Sequence, residues 1–412
     1  MPCRACGAQV VMVVHLGEQP PGAYFPSRDE APSQRLPLRL GVCSECGLAQ
    51  LADRSPPEHD ELDGPSPLSS ATMTAHGQRF VDDLSARGLI GATSRVLSLA
   101  SHGGHLAGFL RDRGVPVTVV DPVEARVGKL LRAGVDAVCG RLDHADAPGV
   151  ERLGLFDLIV DFYLLAHLEK PRRALEWMAV LLAPGGTLVL EFDHLLATVE
   201  GGQWDAIRHG HHTYLTLAWL MREARGAGLS VVDAVPQPVY GGALRVVLQG
   251  NGSASRRLEK VVKREADAAV ALPAGLAPLQ RAVELARQQV VHHLAGARAQ
   301  GRLVVGYGAP ARSITFLNAL GIDAQLLPFV VDRDAQKQGR LVPGVGVPIR
   351  APEVLRDQAP AEILVLTWDL IDEIRDTLAD LVAQGTRLLV AVPQLTDVTE
   401  GPAPPYDGEG RN

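Results

Sequence analysis

Three histidines, His209, His211 and His212, fall within four positions of the stretch 203–216 (Gln-Trp-Asp-Ala-Ile-Arg-His-Gly-His-His-Thr-Tyr-Leu-Thr). Imidazole titrates closest to neutral pH, so such a cluster points to proton transfer or to metal binding. The competing reading is a polar loop ahead of the apolar run 215–221. A zinc hydrolase built on these histidines would find only Asp205 as a nearby carboxylate. Sulfur makes the second group. Cys3 and Cys6, then Cys43 and Cys46, form two pairs whose two-residue gap lets a tight knuckle turn two thiolates to one metal. Four sulfurs suit tetrahedral zinc, and a site without a vacant position is structural. A redox pair or unrelated thiols are the alternatives. Cys139 stands apart and reads as a small buried residue at a strand end.

The elements that must position these groups alternate. Residues 73–89 have helical spacing and 95–100 form a short apolar strand running into a Gly-rich turn at Ser101, Gly103 and Gly104. A helix reaches 113, a strand 115–120 ends at Asp121, a helix reaches 133, and a strand covers 135–139. A strand at 157–160, a helix at 172–182, a Pro-Gly-Gly turn at 184–186 and a strand at 187–192 complete the series. This rhythm predicts an α/β fold with a parallel, doubly wound sheet. Ligands sit beyond the C-terminal ends of such strands, which singles out Ser98 to Gly104, Asp121, Asp161 to His167 and Glu191 to His194. A turn of glycines lets a ligand approach backbone amides, and a carboxylate ending the second strand can accept ribose hydroxyls.

Further on come a helix at 215–226, a strand at 230–235, a strand at 239–248 interrupted by a glycine pair, and charged Ala-rich helices at 256–300 broken near Pro273 and Pro278. A second strand-turn-helix unit starts at 303–312, and strands at 327–331, 363–366 and 387–392 predict a second, smaller Rossmann-like lobe. The implied organisation is a zinc-binding module at 1–60, a cofactor-binding domain at 71–250, bridging helices at 251–300, a C-terminal lobe at 301–396 and a disordered tail at 397–412. The stretch 53–70, rich in Pro, Ser, Asp and Glu, reads as a linker, and 17–21 as a turn.

Hydrophobic residues make up 46% of the 412, charged residues 21%, and the net charge is -7, which argues for a globular protein and against a nucleic-acid partner. There is no apolar span of about 18 residues and no charged segment followed by an apolar one at the start, so the expectation is a cytoplasmic protein without a membrane partner. No interface pattern rises above ordinary surface composition, and the sequence assigns no oligomeric state.

Together these motifs resemble the nucleotide-sugar C-methyltransferase family, which joins a zinc module, a class I methyltransferase domain and a C-methyltransferase lobe. The resemblance is carried by the four cysteines, by Leu-Gly-x-Gln-Pro at 16–20, by Cys-Gly-Leu-x-Gln-Leu at 46–51, by the Pro-Gly-Gly turn, and in the last lobe by 306–311 (Gly-Tyr-Gly-Ala-Pro-Ala), 331–333, 337–340 and 368–374. It implies S-adenosylmethionine and structural zinc as cofactors, with Ser98, Ser101, Gly103, Gly104, Asp121 and Asp161 facing the former. It also implies methylation of the carbon next to the ketone of a thymidine-diphosphate 4-keto-6-deoxysugar. Only the enolate of such a carbon is nucleophilic, so a base and donors to the ketone oxygen are needed. By resemblance His211 is the base, His167 a second active-site histidine that could polarise the ketone, and Tyr214 a third catalytic group. Arg208, His209, Tyr240, Arg245, Tyr307, Arg333 and Lys337 are the corresponding substrate-binding set.

The sequence also departs from the family pattern. Arg208 replaces a tyrosine and Gly210 a glutamate, a Tyr-x-Tyr-x-Ser motif before Met73 is absent, and the cofactor turn has lost two carboxylates and a glycine. The alternative is therefore a protein of the same fold that no longer transfers methyl groups and serves in proton transfer, isomerisation or as a non-catalytic partner.

Overall fold

The computed structural model describes residues 1–21, 24–30, 34–52, 70–99, 104–144, 149–150 and 152–401. The expected linker lies almost wholly outside them. Strands β1 (Val10–Gln19), β2 (Leu36–Cys43) and β3 (Ala49–Leu51) form an antiparallel meander. Residues 17–19 belong to β1 rather than to a turn: the register slips between His15 and Glu18, and Gly17, at φ 74°, absorbs the irregularity.

The second unit begins with α1 (Ala71–Ala86), capped by the Ser70 side chain, which accepts from the Met73 amide. Its buried residues Met73, His76, Gly77, Phe80, Val81 and Leu84 recur at helical spacing and form one face. Then follow β4 (Val96–Leu99), α2 (His105–Asp112), β5 (Val117–Asp121), α3 (Glu124–Arg132), β6 (Asp136–Cys139), β7 (Phe156–Phe162), α4 (Pro171–Val180), β8 (Leu182–Asp193) and α5 (Leu195–Glu200). After these come β9 (Thr213–Tyr214), α6 (Leu217–Gly226), β10 (Ser230–Gln237) and β11 (Ala243–Gln249). The sheet order is β10-β11-β8-β7-β4-β5-β6, parallel from β8 to β6 with an antiparallel hairpin at the other edge. The topological switch lies between β4 and β7, both covered on two faces, hence their continuous apolar runs.

Three local expectations fail here. The Pro-Gly-Gly turn is absorbed into β8, where Phe156 and Leu158 face Leu182 and Thr187 across a wide register slip. The expected strand 239–248 starts only at Ala243, because Tyr240, Gly241 and Gly242 take φ of 53°, 77° and 121° and turn the chain. Cys139 is exposed, since β6 is the sheet edge.

The last part comprises α7 (Arg256–Asp267), α8 (Pro273–Ala299), β12 (Val304–Tyr307), α9 (Ala311–Leu320), β13 (Val330–Val331), β14 (Ile349–Arg350), α10 (Val354–Gln358), β15 (Glu362–Val365), α11 (Ile371–Thr377), α12 (Ala379–Ala383), β16 (Arg387–Val390) and β17 (Thr396–Asp397). Its sheet runs β14-β13-β12-β15-β16-β17. Pro278 does not break α8, which runs unbroken through 27 residues on a buried stripe from Leu276 to Ala297. The tail is ordered at least to residue 401: β17 pairs with β16, Val398 is buried, and Arg375 donates to the carbonyls of Val398 and Gly401.

The N-terminal meander is not a detached module. Strand β3 pairs with β9, so the two join one four-stranded sheet, β1-β2-β3-β9. One face of this sheet shares a core with α8 and the C-terminal lobe, while the cysteines pack with α4, α6 and the main sheet.

Candidate active site

The histidine stretch leaves β8 through α5 and a turn at Trp204–Ala206, then enters β9 and α6, where Thr216 caps the helix by accepting from the Trp219 amide. The segment between is held by its own side chains. The Tyr214 hydroxyl accepts from the Arg208 amide at 3.0 Å and donates to the Ala206 carbonyl at 3.3 Å. Gly210 has φ 91°, a left-handed conformation that turns its carbonyl onto His167 Nδ1 at 3.0 Å. The His167 and His211 rings meet edge to face, 4.2 Å between centroids.

His211 is 4% exposed. Its Nε2 faces the Arg208 guanidinium and its Nδ1 lies 3.9 Å from Asp193 Oδ2. Guanidinium can only donate, so Nε2 is the acceptor nitrogen and the ring proton sits on Nδ1, towards Asp193. His209 and His212 are also buried. Burial, then the Arg4 charge, presses His212 down to about 4, so it is neutral at pH 7. Among the described residues the histidines do not gather into a metal site. The grouping that does is Cys3, Cys6, Cys43 and Cys46, whose sulfurs lie within 4.8 Å of one another. Zinc–sulfur bonds of about 2.3 Å around a tetrahedron fit that spacing. The Ala5 and Cys46 amides donate to Cys3 and Cys43 sulfur, as metal knuckles require, and Cys3 is pressed towards thiolate chiefly by its hydrogen bond with Cys46.

Family comparison covers the chain in three blocks: a zinc binding domain at residues 3–59, a methyltransferase domain at 73–234 and a C-methyltransferase C-terminal domain at 238–393. The C-methyltransferase NovU of Streptomyces niveus is 30% identical over 406 residues, 95% of each chain. The chain belongs to the three-module C-methyltransferase family. It is an S-adenosylmethionine-dependent C-methyltransferase with a structural zinc site. The ubiquinone biosynthesis O-methyltransferase of Xanthomonas axonopodis pv. citri is 30% identical over 160 residues, 34% of this chain and 65% of that protein. The N-methyltransferase NodS of Bradyrhizobium japonicum, solved with S-adenosyl-L-homocysteine, shares 21% identity over 47% of this chain and 93% of its own, at a TM-score of 0.34.

Asp121 is fully buried at the end of β5, and its Oδ1 accepts from the Val123 amide and Arg126 Nε. Gly104 opens α2 at φ 73°, and Ser98 is buried within β4. Ser101 and Gly103 lie outside the described residues. A buried strand-end carboxylate beside a strand-turn-helix fits an adenosyl ribose. Asp161 is committed locally, its two oxygens accepting from the Leu164 and Leu165 amides, while burial raises it to about 7.

The substrate set divides. Arg245 is drawn into the core: it pairs with Glu191 at 2.7 Å and Asp83 at 3.1 Å and stacks on Phe80. Lys337 donates to the Ala309 carbonyl at 3.0 Å, Arg333 pairs with Glu373 at 3.0 Å, and Tyr307 is buried at the end of β12. Tyr240 stands apart from these in the turn before β11. Gln203 Nε2 donates to the Gly241 carbonyl, and a Cβ on Gly241 would lie 2.5 Å from the Trp368 ring. Trp368 in turn donates to Asp205, which also pairs with Arg312, so both lobes clamp the turn beside the histidine segment.

Sequence reasoning marked the strand ends that hold Glu191, Asp193 and Tyr163 but gave these side chains no role. Glu191 is buried with His76 at 2.5 Å and Arg245 at 2.7 Å; burial opposes its ionisation, but the Arg245 charge and the His76 bond prevail and lower its pKa. Replacing Glu191 by Ala leaves Arg245 buried with Asp83 as its remaining acidic partner and should cost about 3 kcal/mol. Urea denaturation checks this, and a loss under about 1 kcal/mol would mean that Asp83 alone compensates.

Proposed function

We propose that this enzyme methylates the carbon next to the ketone of a nucleotide-linked deoxysugar, a small-molecule reaction of cytoplasmic secondary-metabolite biosynthesis, by way of an enolate. The observation that carries the reading is the setting of His211. Its basic Nε2 and its Nδ1–H towards Asp193 give the orientation of a general base beside the C-terminal ends of β7 and β8. S-adenosylmethionine, when bound, supplies an electrophilic methyl group on a sulfonium sulfur. The protein's residues do the rest. Arg208 moves from His211 Nε2 to an anionic part of the substrate, which frees the lone pair for the acidic C–H. Asp193 steadies the imidazolium formed when that proton arrives. His167 and Tyr214 keep the segment in place through Gly210, Ala206 and Arg208. Arg333, Lys337 and Tyr307 serve the nucleotide at the C-terminal lobe, with Arg208, His209 and Tyr240 on the sugar.

The resemblance in the last lobe supports a sugar nucleotide as substrate. Arg208 in place of a tyrosine supports a sugar bearing more negative charge than usual. The test titrates the protein calorimetrically with S-adenosylmethionine and S-adenosylhomocysteine, then assays methyl transfer on thymidine-diphosphate 4-keto-6-deoxysugars. Expected are cofactor binding and methyl transfer to at least one sugar. Cofactor binding without transfer to any ketosugar sinks the substrate reading.

A further inference from the structure

Tyr163 follows β7 directly, and its amide donates to the Glu191 carbonyl at 2.8 Å. It has φ 70°, a conformation that costs a bulky residue free energy and is retained where surrounding structure imposes it, often at functional sites. Its ring is 6% exposed, packed edge to face on Phe162 at 4.9 Å and on Tyr240 at 5.3 Å. Its hydroxyl, near the Glu191 carboxylate, makes no hydrogen bond of good geometry among the described residues, nor does the hydroxyl of Tyr240 or Oδ1 of Asp193. A buried phenol without a partner costs about 1–3 kcal/mol. Two such phenols, with Asp193, which also faces His211, mark a place made for a polar ligand.

We propose that the Tyr163 phenol donates the hydrogen bond that holds the ketone oxygen of the substrate as charge develops on it. The assignment rests on the enolate reading above. His211 takes the proton from the carbon, the C–H electron pair forms the new C=C bond, and the carbonyl π pair moves to oxygen. Tyr163 keeps its proton throughout. Burial, with the charges of Glu191 and Asp193, raises its pKa well above the ordinary phenol value, so it is a neutral donor across the working pH range. The Nδ1–H of His167 is already committed to the Gly210 carbonyl. The enzyme thereby regains a phenol that the loss of tyrosines elsewhere in the pocket removed.

The experiment follows solvent deuterium exchange at the carbon next to the ketone, in thymidine-diphosphate 4-keto-6-deoxysugars, with wild type, Tyr163→Phe and Tyr240→Phe, without S-adenosylmethionine. Loss of one oxyanion donor lowers kcat by about 10²–10³-fold. That loss is expected in Tyr163→Phe, with KM changed less than about threefold. Its Tm should equal or exceed that of wild type, since an unpartnered hydroxyl is removed. Undiminished exchange in Tyr163→Phe overturns the assignment, as does a kcat loss confined to Tyr240→Phe, or a fall in Tm with lost S-adenosylhomocysteine binding, which marks a structural brace. No exchange by wild type on any of the sugars overturns the enolate reading itself and is distinguishable from all three.

Discussion

Replacing His211 by Ala is expected to lower methyl transfer at least about 10³-fold while binding of S-adenosylhomocysteine stays within a few fold of wild type. A positioned general base contributes about 10²–10⁴-fold, and the sulfonium methyl has no nucleophile to meet until the carbon has lost its proton. The same variant should lose deuterium exchange at that carbon in equal measure, because exchange and transfer share the deprotonation step. A second variant, His211→Gln, retains an acceptor for Arg208 and much of the buried volume. It separates loss of the base from collapse of the segment. If both variants fold, bind the cofactor product and still exchange deuterium at the wild-type rate, the base lies elsewhere. Asp193 would then be the group to examine, since it is the carboxylate facing this ring at 3.9 Å. Arg208 adds a kinetic signature. As it must leave Nε2 before the proton can arrive, Arg208→Ala should raise exchange relative to substrate affinity, with KM rising more than kcat falls.

How much of this was legible beforehand depended on whether a signal was local. The alternation of short apolar runs with amphipathic segments is a local pattern, and it located the strands of the main sheet to within a few residues. Positions that obey two rules at once were misjudged. Pro-Gly-Gly at 184–186 carries a turn signature, but a strand can take up the excess residues as a register slip, and it does so in β8. Pro278 carries a breaker signature, but one lost backbone bond does not stop a helix whose buried stripe continues to Ala297. At the site, His211 and the cysteines could be named because their residue types are rare and their spacing is informative. Asp193, Tyr163 and Glu191 could not. Their segments were singled out as strand ends, yet what makes these side chains notable is burial, a left-handed backbone or the absence of a partner, all of which arise only in the folded chain. Arg245 shows the reverse. It had the charge and position of a substrate ligand, and the core contained two carboxylates that claimed it.

Removing the zinc should damage the methyl-transfer site as well as the N-terminal meander, and the connecting geometry makes this a specific expectation. The Cys43 thiolate ends β2, Cys46 lies three residues before β3 begins, and β3 pairs with Thr213 and Tyr214 of β9. The Arg4 amide, in the first knuckle, donates to Gln50 Oε1, and the Leu51 amide donates to the His212 carbonyl next to His211. The metal therefore steadies the strand that begins two residues after the proposed base. Isolated zinc fingers gain about 10–16 kcal/mol from their metal. Here β1 also packs on α8, so part of the meander has support that does not depend on zinc. Cys43→Ser, or extraction of the metal with a strong chelator, should lower Tm by about 10 °C or more. Amide hydrogen exchange at Gln50, Leu51, Thr213 and Tyr214 should accelerate while β4, β5 and β7 stay protected. Methyl transfer should fall before cofactor binding does, because Asp121, the proposed ribose ligand, ends β5 of the seven-stranded sheet, whereas β9 belongs to the four-stranded one. A zinc-free protein with wild-type Tm and unchanged protection at Thr213 and Tyr214 would show that the strand pairing holds without the metal, and would restrict zinc to the knuckles themselves.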